Sequence, residues 1–200
     1  MKFLIDKSSN DVRRKTKSTL VLGQLLTPLT KYKNWGGAFA VDNGCFNQFR
    51  EHNFVSLLSR NEPDHCLFVT APDIVGNAQR TIELWNQRHR WIDLRWPVAF
   101  VCQDGQECLP IPWDELDAIF IGGCDPWKDS KSALDIVHTA KRLGIHVHVG
   151  RVNTASRYER FADVGADTCD GSGIAMYDHM LDTLERRINS PQPTLFDGLE

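Results

Sequence analysis

The stretch of residues 97–150 decides the fold: PVAFVCQDGQECLPIPWDELDAIFIGGCDPWKDSKSALDIVHTAKRLGIHVHVG. It contains three short and almost continuous apolar runs, which are PVAFVC (97–102), AIFIG (118–122) and HVHVG (146–150). Between the last two runs, Ala133, Val137 and Ala140 are spaced as on one face of a helix. Short apolar strands that alternate with helices predict a parallel sheet that is buried on both faces.

The rest of the chain repeats this alternation. The further apolar runs are KFLI (2–5), TLVLG (19–23), AFAV (38–41), CLFVT (66–70) and ADTC (166–169). Two further apolar stripes have helical spacing: Ala78, Ile82, Trp85 and Ile92, and then Ala155, Tyr158 and Ala162. Eight strands predict a compact (β/α)8 barrel, a single domain over residues 1–188 followed by a flexible tail over 189–200. A doubly wound open sheet is the alternative, which the lack of a Gly-rich fingerprint after the first strand disfavours.

Composition excludes several classes of protein. The 200 residues are 42% hydrophobic and 24% charged, and the net charge is −3, so the chain is neither disordered nor a uniformly basic DNA-coating protein. No apolar run reaches the length of a membrane helix, and no signal-peptide core follows Met1, which predicts a cytoplasmic protein. The six cysteines, at positions 45, 66, 102, 108, 124 and 169, include no C-x-x-C pair and no zinc-ligand spacing. We therefore expect no metal site and no disulfide scaffold.

Polar residues follow the predicted strands. Asp42, Asp73, Gln103 and Asp170 each come at or just after the end of an apolar run, and Gly122 and Gly123 follow another. In a parallel barrel these positions share the carboxyl-terminal rim, where active sites are built. The alternative for each carboxylate is a helix cap, and the alternative for each glycine is a turn that requires positive φ.

Two interpretations are open for some of the other polar and aromatic residues. His146 and His148 alternate along one strand and therefore face the same side, where packing is favoured over metal binding. Trp113 and Trp127 follow strand ends and are suited either to stacking on a base or to packing in the core. Basic residues cluster near the N-terminus and after the sixth and seventh strands; of these, Lys128, Arg151 and Arg157 are predicted to contact nucleic-acid phosphates.

The order of motifs resembles the tRNA-guanine transglycosylase superfamily. The motifs are D-N-G-C-F, P-D-I-V, V-x-Q-D-G, a G-G turn, V-G-R-V-N-T and G-A-D-T-C-D, and they lie between about residues 38 and 173. The similarity is greater to the short DpdA-like 7-deazaguanine DNA transglycosylases that many bacteriophages encode. The resemblance implies a (β/α)8 barrel that exchanges guanine for a 7-deazaguanine without breaking the sugar-phosphate chain.

The resemblance also implies roles for individual residues. Asp170 corresponds to the nucleophile, and Asp42 to the carboxylate that recognises the base and moves a proton. Asp73 and Gln103 correspond to the residues that bind the purine edge, and Gly122 and Gly123 to the backbone that contacts the base. A free 7-deazaguanine base is then a substrate, and no cofactor is expected.

The sequence differs from the tRNA enzymes in two features that bear on whether the substrate is DNA or tRNA. Those enzymes carry a zinc site after the last barrel strands, and nothing of the kind follows Cys169 here. Their Pro-Thr-Arg after the nucleophile is replaced by Gly171-Ser172-Gly173. Because the zinc-bearing segment helps those enzymes to engage tRNA, its absence favours DNA as the partner. A tRNA substrate and an inactive barrel that only binds nucleic acid are the alternatives.

The tail carries a separate motif. The sequence Q-P-T-L-F, from Gln192 to Phe196, resembles the pentapeptide with which bacterial proteins bind the sliding clamp. In that resemblance Gln192, Leu195 and Phe196 supply the contacts, with the last two as apolar anchors. The sliding clamp is therefore a predicted partner.

Overall fold

Eight parallel strands close into a barrel in the computed structural model, which describes residues 1–189. The strands are β1 (Lys2–Ile5), β2 (Val21–Leu26), β3 (Phe39–Val41), β4 (Cys66–Thr70), β5 (Val98–Cys102), β6 (Ala118–Ile121), β7 (His146–Val149) and β8 (Thr168–Cys169). Each strand pairs with its sequence neighbours, and β1 pairs with β8 through Lys2–Thr168 and Phe3–Cys169. This closure confirms the (β/α)8 barrel and excludes the open sheet.

Helices surround the barrel. They are α1 (Ser9–Lys15), α2 (Glu51–Ser59), α3 (Ala78–Trp85), α4 (Asp125–Lys128), α5 (Lys131–Arg142), α6 (Ala155–Asp163), α7 (Ser172–Met176) and α8 (Asp178–Asn189). Several begin at a side-chain cap of the expected kind: Ser8, Asn77, Ser130 and Thr154 each accept a backbone N–H from the first turn. Between β5 and β6 the described chain makes only two 3-10 turns. Short connections of this kind explain how a full barrel fits into so few residues.

The core has two layers. Side chains that point inward fill the barrel: Leu4, Leu25, Ala40, Phe68, Ala99, Val101, Ala118 and Phe120. Their neighbours along the strands, such as Phe3 and Ile119, point outward and pack beneath the helices. This alternation places every strand between two apolar layers, which is why the strands read as continuous apolar runs.

All eight predicted strands are present; four of them differ from the predicted bounds by one residue, and two differ by more. The second begins at Val21 rather than 19 and extends to Leu26, and the eighth is shortened to Thr168–Cys169. The predicted helical stripe from Ala78 to Ile92 is interrupted. Helix α3 ends at Trp85, and the chain passes through a 3-10 turn before the buried Ile92.

The predicted tail lies almost wholly outside the described residues. Helix α8 extends to Asn189, one residue beyond the predicted boundary. The clamp-binding residues Gln192, Leu195 and Phe196 lie outside the described part of the chain, so that hypothesis stays a prediction. Within residues 1–189, no helix has the length and apolar character needed to span a bilayer.

Candidate functional site

A cavity of about 240 Å³ opens at the carboxyl-terminal ends of the strands. Its lining includes all six residues predicted from the strand ends: Asp42, Asp73, Gln103, Gly122, Gly123 and Asp170. A fourth carboxylate, Asp6, joins them from the end of β1. The floor is apolar and is formed by barrel residues such as Leu4, Val101 and Phe120. A small apolar cavity with a few convergent polar groups is typical of a ligand site.

The loop after β3 holds Asp42 in place. The Asp42 carboxylate accepts the Gly44 N–H at 2.6 Å, and Gly44 has a φ of 76°, which explains the glycine. Burial raises the pKa of Asp42 from 3.8 to about 7; the Gly44 hydrogen bond opposes this rise, and the negative charges of Asp170, Asp73 and Asp6 add to it. The carboxyl keeps a partly exposed face, towards the cavity. Near neutral pH it can therefore both donate and accept a proton.

Asp73 is the centre of a buried network. One carboxylate oxygen accepts from Asn43 Nδ2 at 2.7 Å and the other from Gln103 Nε2 at 2.6 Å. Burial raises the pKa of Asp73, while the hydrogen bonds from Asn43, Gln103 and Cys45 lower it. The network fixes the orientation of this carboxylate before any ligand arrives.

The Gly122–Gly123 turn fits around Gln103. The Gly123 N–H donates to Gln103 Oε1 at 2.9 Å, and its φ of 72° is in the left-handed region. A Cβ at Gly122 would lie 2.8 Å from Gln103 Nε2. The structure therefore explains why both positions are glycine: without side chains, they let the amide of Gln103 pack against the backbone of the turn. The turn also lines the cavity, so a flat ligand could approach its backbone closely while Gln103 packs against it.

Asp170 lies at the end of β8, and one of its oxygens is held from β7. Oδ1 lies 3.1 Å from His148 Nε2 and accepts the Arg151 N–H at 3.2 Å. The Asp170 side chain is 21% exposed, whereas His148 is fully buried. The pattern HVHV placed His146 and His148 on one side, and both contact Thr168 Oγ1. The sequence interpretation of packing missed the contact with Asp170, because the pairing of β7 with β8 is a tertiary relationship.

The three predicted phosphate-binding residues differ in their surroundings. Arg151 lines the cavity, with its guanidinium bonded to Gly123 O and stacked 4.7 Å from the ring centre of Phe46. Arg157 is held by Asp129 and Asp125, with Nη2–Oδ2 at 2.6 Å to Asp129. Lys128 requires a correction: it is fully buried, and its Nζ donates to Gly150 O at 2.6 Å. A buried ammonium cannot reach a phosphate outside the barrel.

The aromatic residue at the cavity mouth is Phe46, the last residue of the D-N-G-C-F motif, for which the sequence predicts no role. Its side chain lines the cavity and is 63% exposed. Trp127 instead packs in the core, where its Nε1 donates to Glu107 at 2.7 Å, and Trp113 packs against the core while partly exposed. An exposed ring beside a cavity offers a surface on which a flat ligand can stack.

Comparison of the chain with known proteins gives no assignment for this site. No protein-family model matches this chain. No curated protein matches it either. Within residues 1–189, no group of three or more His, Cys, Asp or Glu side chains is arranged to hold a metal ion.

Proposed function

We propose that this chain is a DNA guanine transglycosylase, which exchanges guanine in DNA for a 7-deazaguanine derivative. The observation that carries the proposal is the meeting of Asp42, Asp73 and Asp170 with Gln103 around one small cavity. These residues come from four different strand ends, in the order that the sequence resemblance requires. The cavity combines groups for glycosidic chemistry with groups that can recognise a purine.

Asp170 is the proposed nucleophile. Its carboxylate attacks C1′ of the guanosine while the C1′–N9 bond breaks, through a transition state with oxocarbenium character. The product is a covalent glycosyl-enzyme ester and a free guanine. The entering 7-deazaguanine then attacks C1′ through its own N9, and the Asp170 carboxylate leaves.

Asp42 is the proposed proton carrier. Guanine leaves more easily when it gains a proton, and the entering base must lose one when its N9 bonds to C1′. A carboxyl whose pKa is raised to about 7 can perform both transfers near neutral pH. One proton is delivered and one is recovered, so each turnover restores the starting state.

Asp73 and Gln103 are the proposed recognition residues for the purine edge. Asn43 Nδ2 and Gln103 Nε2 donate to different oxygens of Asp73, and Gln103 Nε2 has a second proton beyond the one given to Asp73. A base with N–H donors and a carbonyl acceptor along one edge complements this pair. Their mutual hydrogen bonds hold both groups in place, which favours binding without rearrangement.

A base inside a duplex cannot reach such a cavity. The nucleotide must flip out, at a cost of a few kcal/mol of lost stacking and pairing. Phe46 provides an exposed ring at the mouth for the flipped base, and Arg151 provides a cation there for a flanking phosphate. The resemblance to the short DNA transglycosylases makes DNA the proposed polymer, with tRNA as the alternative.

The polymer is tested by label release. The protein is incubated with free 7-deazaguanine and with either duplex DNA or tRNA that carries labelled guanine. Release from DNA alone supports the proposal, and release from tRNA alone assigns the same chemistry to tRNA. Binding to nucleic acid without release from either polymer identifies an inactive binding barrel.

A further inference from the structure

His148 lies inside the barrel, directly beneath Asp170. Its ring packs between Phe68 and Phe120, with ring centres 5.0 and 4.7 Å away. Its Nδ1 lies 2.9 Å from Thr168 Oγ1, and its Nε2 lies 3.1 Å from Asp170 Oδ1. Both ring nitrogens are thus engaged, and the two phenyl rings fix the plane of the imidazole.

The direction of these hydrogen bonds follows from the groups involved. An ionised carboxylate only accepts, so the proton between His148 and Asp170 belongs to Nε2. Thr168 also lies 2.8 Å from His146 Nε2. Burial lowers the pKa of His146 to about 4; Asp167 opposes this lowering, and His148 and Lys141 add to it, so the His146 ring is neutral near pH 7. A chain in which His146 donates to Thr168, and Thr168 to His148 Nδ1, places the His148 proton on Nε2.

The two oxygens of Asp170 are therefore unequal. Oδ1 faces His148 Nε2 and the backbone N–H of Arg151. Within residues 1–189, Oδ2 has no hydrogen-bond donor, although Asp170 lines the cavity. Arg151 reaches this position with a φ of 59°, a conformation that few non-glycine residues adopt. Two donors on one oxygen leave the other oxygen free.

We infer that His148 is a positioning residue, which holds Asp170 by Oδ1 so that Oδ2 is the atom presented to C1′. This inference rests on the proposed function for its chemistry, but the contact itself does not depend on that function. The role explains why a polar ring lies among the apolar side chains of the barrel interior. Thr168 and His146 support it by fixing the tautomer.

Three substitutions separate this role from simple packing. His148→Phe keeps an aromatic ring between Phe68 and Phe120 but removes the donor. His148→Gln restores a donor, because the glutamine Nε2 can reach about the same place as the imidazole Nε2. His138→Gln, on the exposed face of α5, is the matched control.

The rate of covalent intermediate formation is measured in a single turnover with duplex DNA. We expect His148→Phe to slow this step about 100-fold with KM changed less than about threefold. His148→Gln is expected to recover at least about a tenth of the wild-type rate. Thermal unfolding of each variant shows whether it is folded. A folded His148→Phe with the wild-type rate overturns the inference, and so does a loss that appears in KM alone.

Nitrogen-15 NMR of the histidine-labelled wild-type protein tests the contact without any substrate. A proton on Nε2 of His148, with a shift of that resonance in Asp170→Asn, is the expected result. A bare Nε2 overturns the inference whatever the rates show. If wild-type protein releases no base from any polymer while the NMR result holds, the proposed function fails and the contact survives.

Discussion

Gln103 Nε2 donates to Asp73 Oδ2 at 2.6 Å, and Gln103 Oε1 accepts the N–H groups of Gly76 and Gly123, each at 2.9 Å. One buried amide therefore connects the loops that follow β4, β5 and β6. A residue that resembles a ligand contact is also a structural centre of the site. This double role makes its substitution informative.

Gln103→Glu is expected to lower the free energy of unfolding by about 2–4 kcal/mol near pH 8, since it removes a donor and places a second carboxylate beside Asp73. Near pH 5 the loss shrinks, because a protonated glutamic acid can donate again. Urea unfolding at both pH values measures the effect. Gln87→Glu, on the exposed surface, is the control; an equal loss in both variants would disprove the account of Gln103.

Asp42→Asn is expected to stabilise the protein above neutral pH while impairing base exchange. The folded state binds the Asp42 proton more tightly than the unfolded chain, because the folded pKa is about 7 against 3.8. The stability that this proton confers is complete below about pH 4 and is lost as the pH rises to about 7. Asparagine can still accept the Gly44 N–H, so the turn is retained.

The measurement for Asp42 is the pH dependence of urea unfolding. The wild type should lose up to a few kcal/mol between about pH 4 and pH 8, and the variant clearly less. Asp73 and Asp6 also have raised pKa values, so they contribute to the pH dependence of the free energy of unfolding in both proteins. Identical slopes in the two proteins would contradict the raised pKa of Asp42.

Gly123→Ala should destabilise the protein more than Gly144→Ala. Both glycines have φ values in the left-handed region, 72° and 74°, so both substitutions carry the same backbone strain of about 1 kcal/mol. Only at Gly123 would the new Cβ meet the ring of Trp127, at 2.4 Å, whereas nothing lies within 4 Å at Gly144. Thermal unfolding compares the two, and a smaller loss at Gly123 would exclude this packing.

Lys128→Met should leave the salt dependence of DNA binding unchanged. Lys128 is buried against Gly150 O, whereas Arg151 is partly exposed at the cavity and its replacement by Gln should reduce the salt slope by about 1. Titrating fluorescent duplex DNA at several salt concentrations measures both. A reduced slope for Lys128→Met alone would restore the sequence-based assignment of that residue.

The burial of Lys128 also predicts that the stability of the protein depends on pH. Burial lowers the pKa of Lys128 to about 8, with a further lowering by Arg151 and Arg157 that Asp170 and Asp125 oppose. The unfolded chain therefore binds more protons between about pH 8 and 10.5, and wild-type stability should rise through this window. Lys128→Met should lack that rise in urea unfolding, and a rise of equal size would place the ammonium in solvent.

The strand positions and the convergence of the site were predictable from sequence for a physical reason. Barrel strands are buried on both faces, so they stand out as apolar runs, and a parallel barrel brings the residues at their ends together. Asp42, Asp73, Gln103 and Asp170 were found in this way. Their chemical roles remain proposals.

The remaining features depend on contacts between distant segments. The Lys128–Gly150 contact and the His148–Asp170 contact each join residues about 20 positions apart, on neighbouring strands and loops. Asp6 directly follows the KFLI run and could have been found by the same rule as the other carboxylates. Apolar periodicity gives no information about which polar partner a buried lysine or histidine will meet.

The most direct test of the central claim is to isolate the covalent intermediate. The protein is incubated with guanine-labelled duplex DNA, denatured, digested and examined by peptide mass spectrometry. The account predicts a deoxyribose ester on Asp170 that forms as guanine is released, disappears when free 7-deazaguanine is added, and is absent from Asp170→Asn. Asp182→Asn, on the exposed face of α8, should behave as the wild type. Base exchange at the wild-type rate in Asp170→Asn, or an adduct on another residue, would contradict the account.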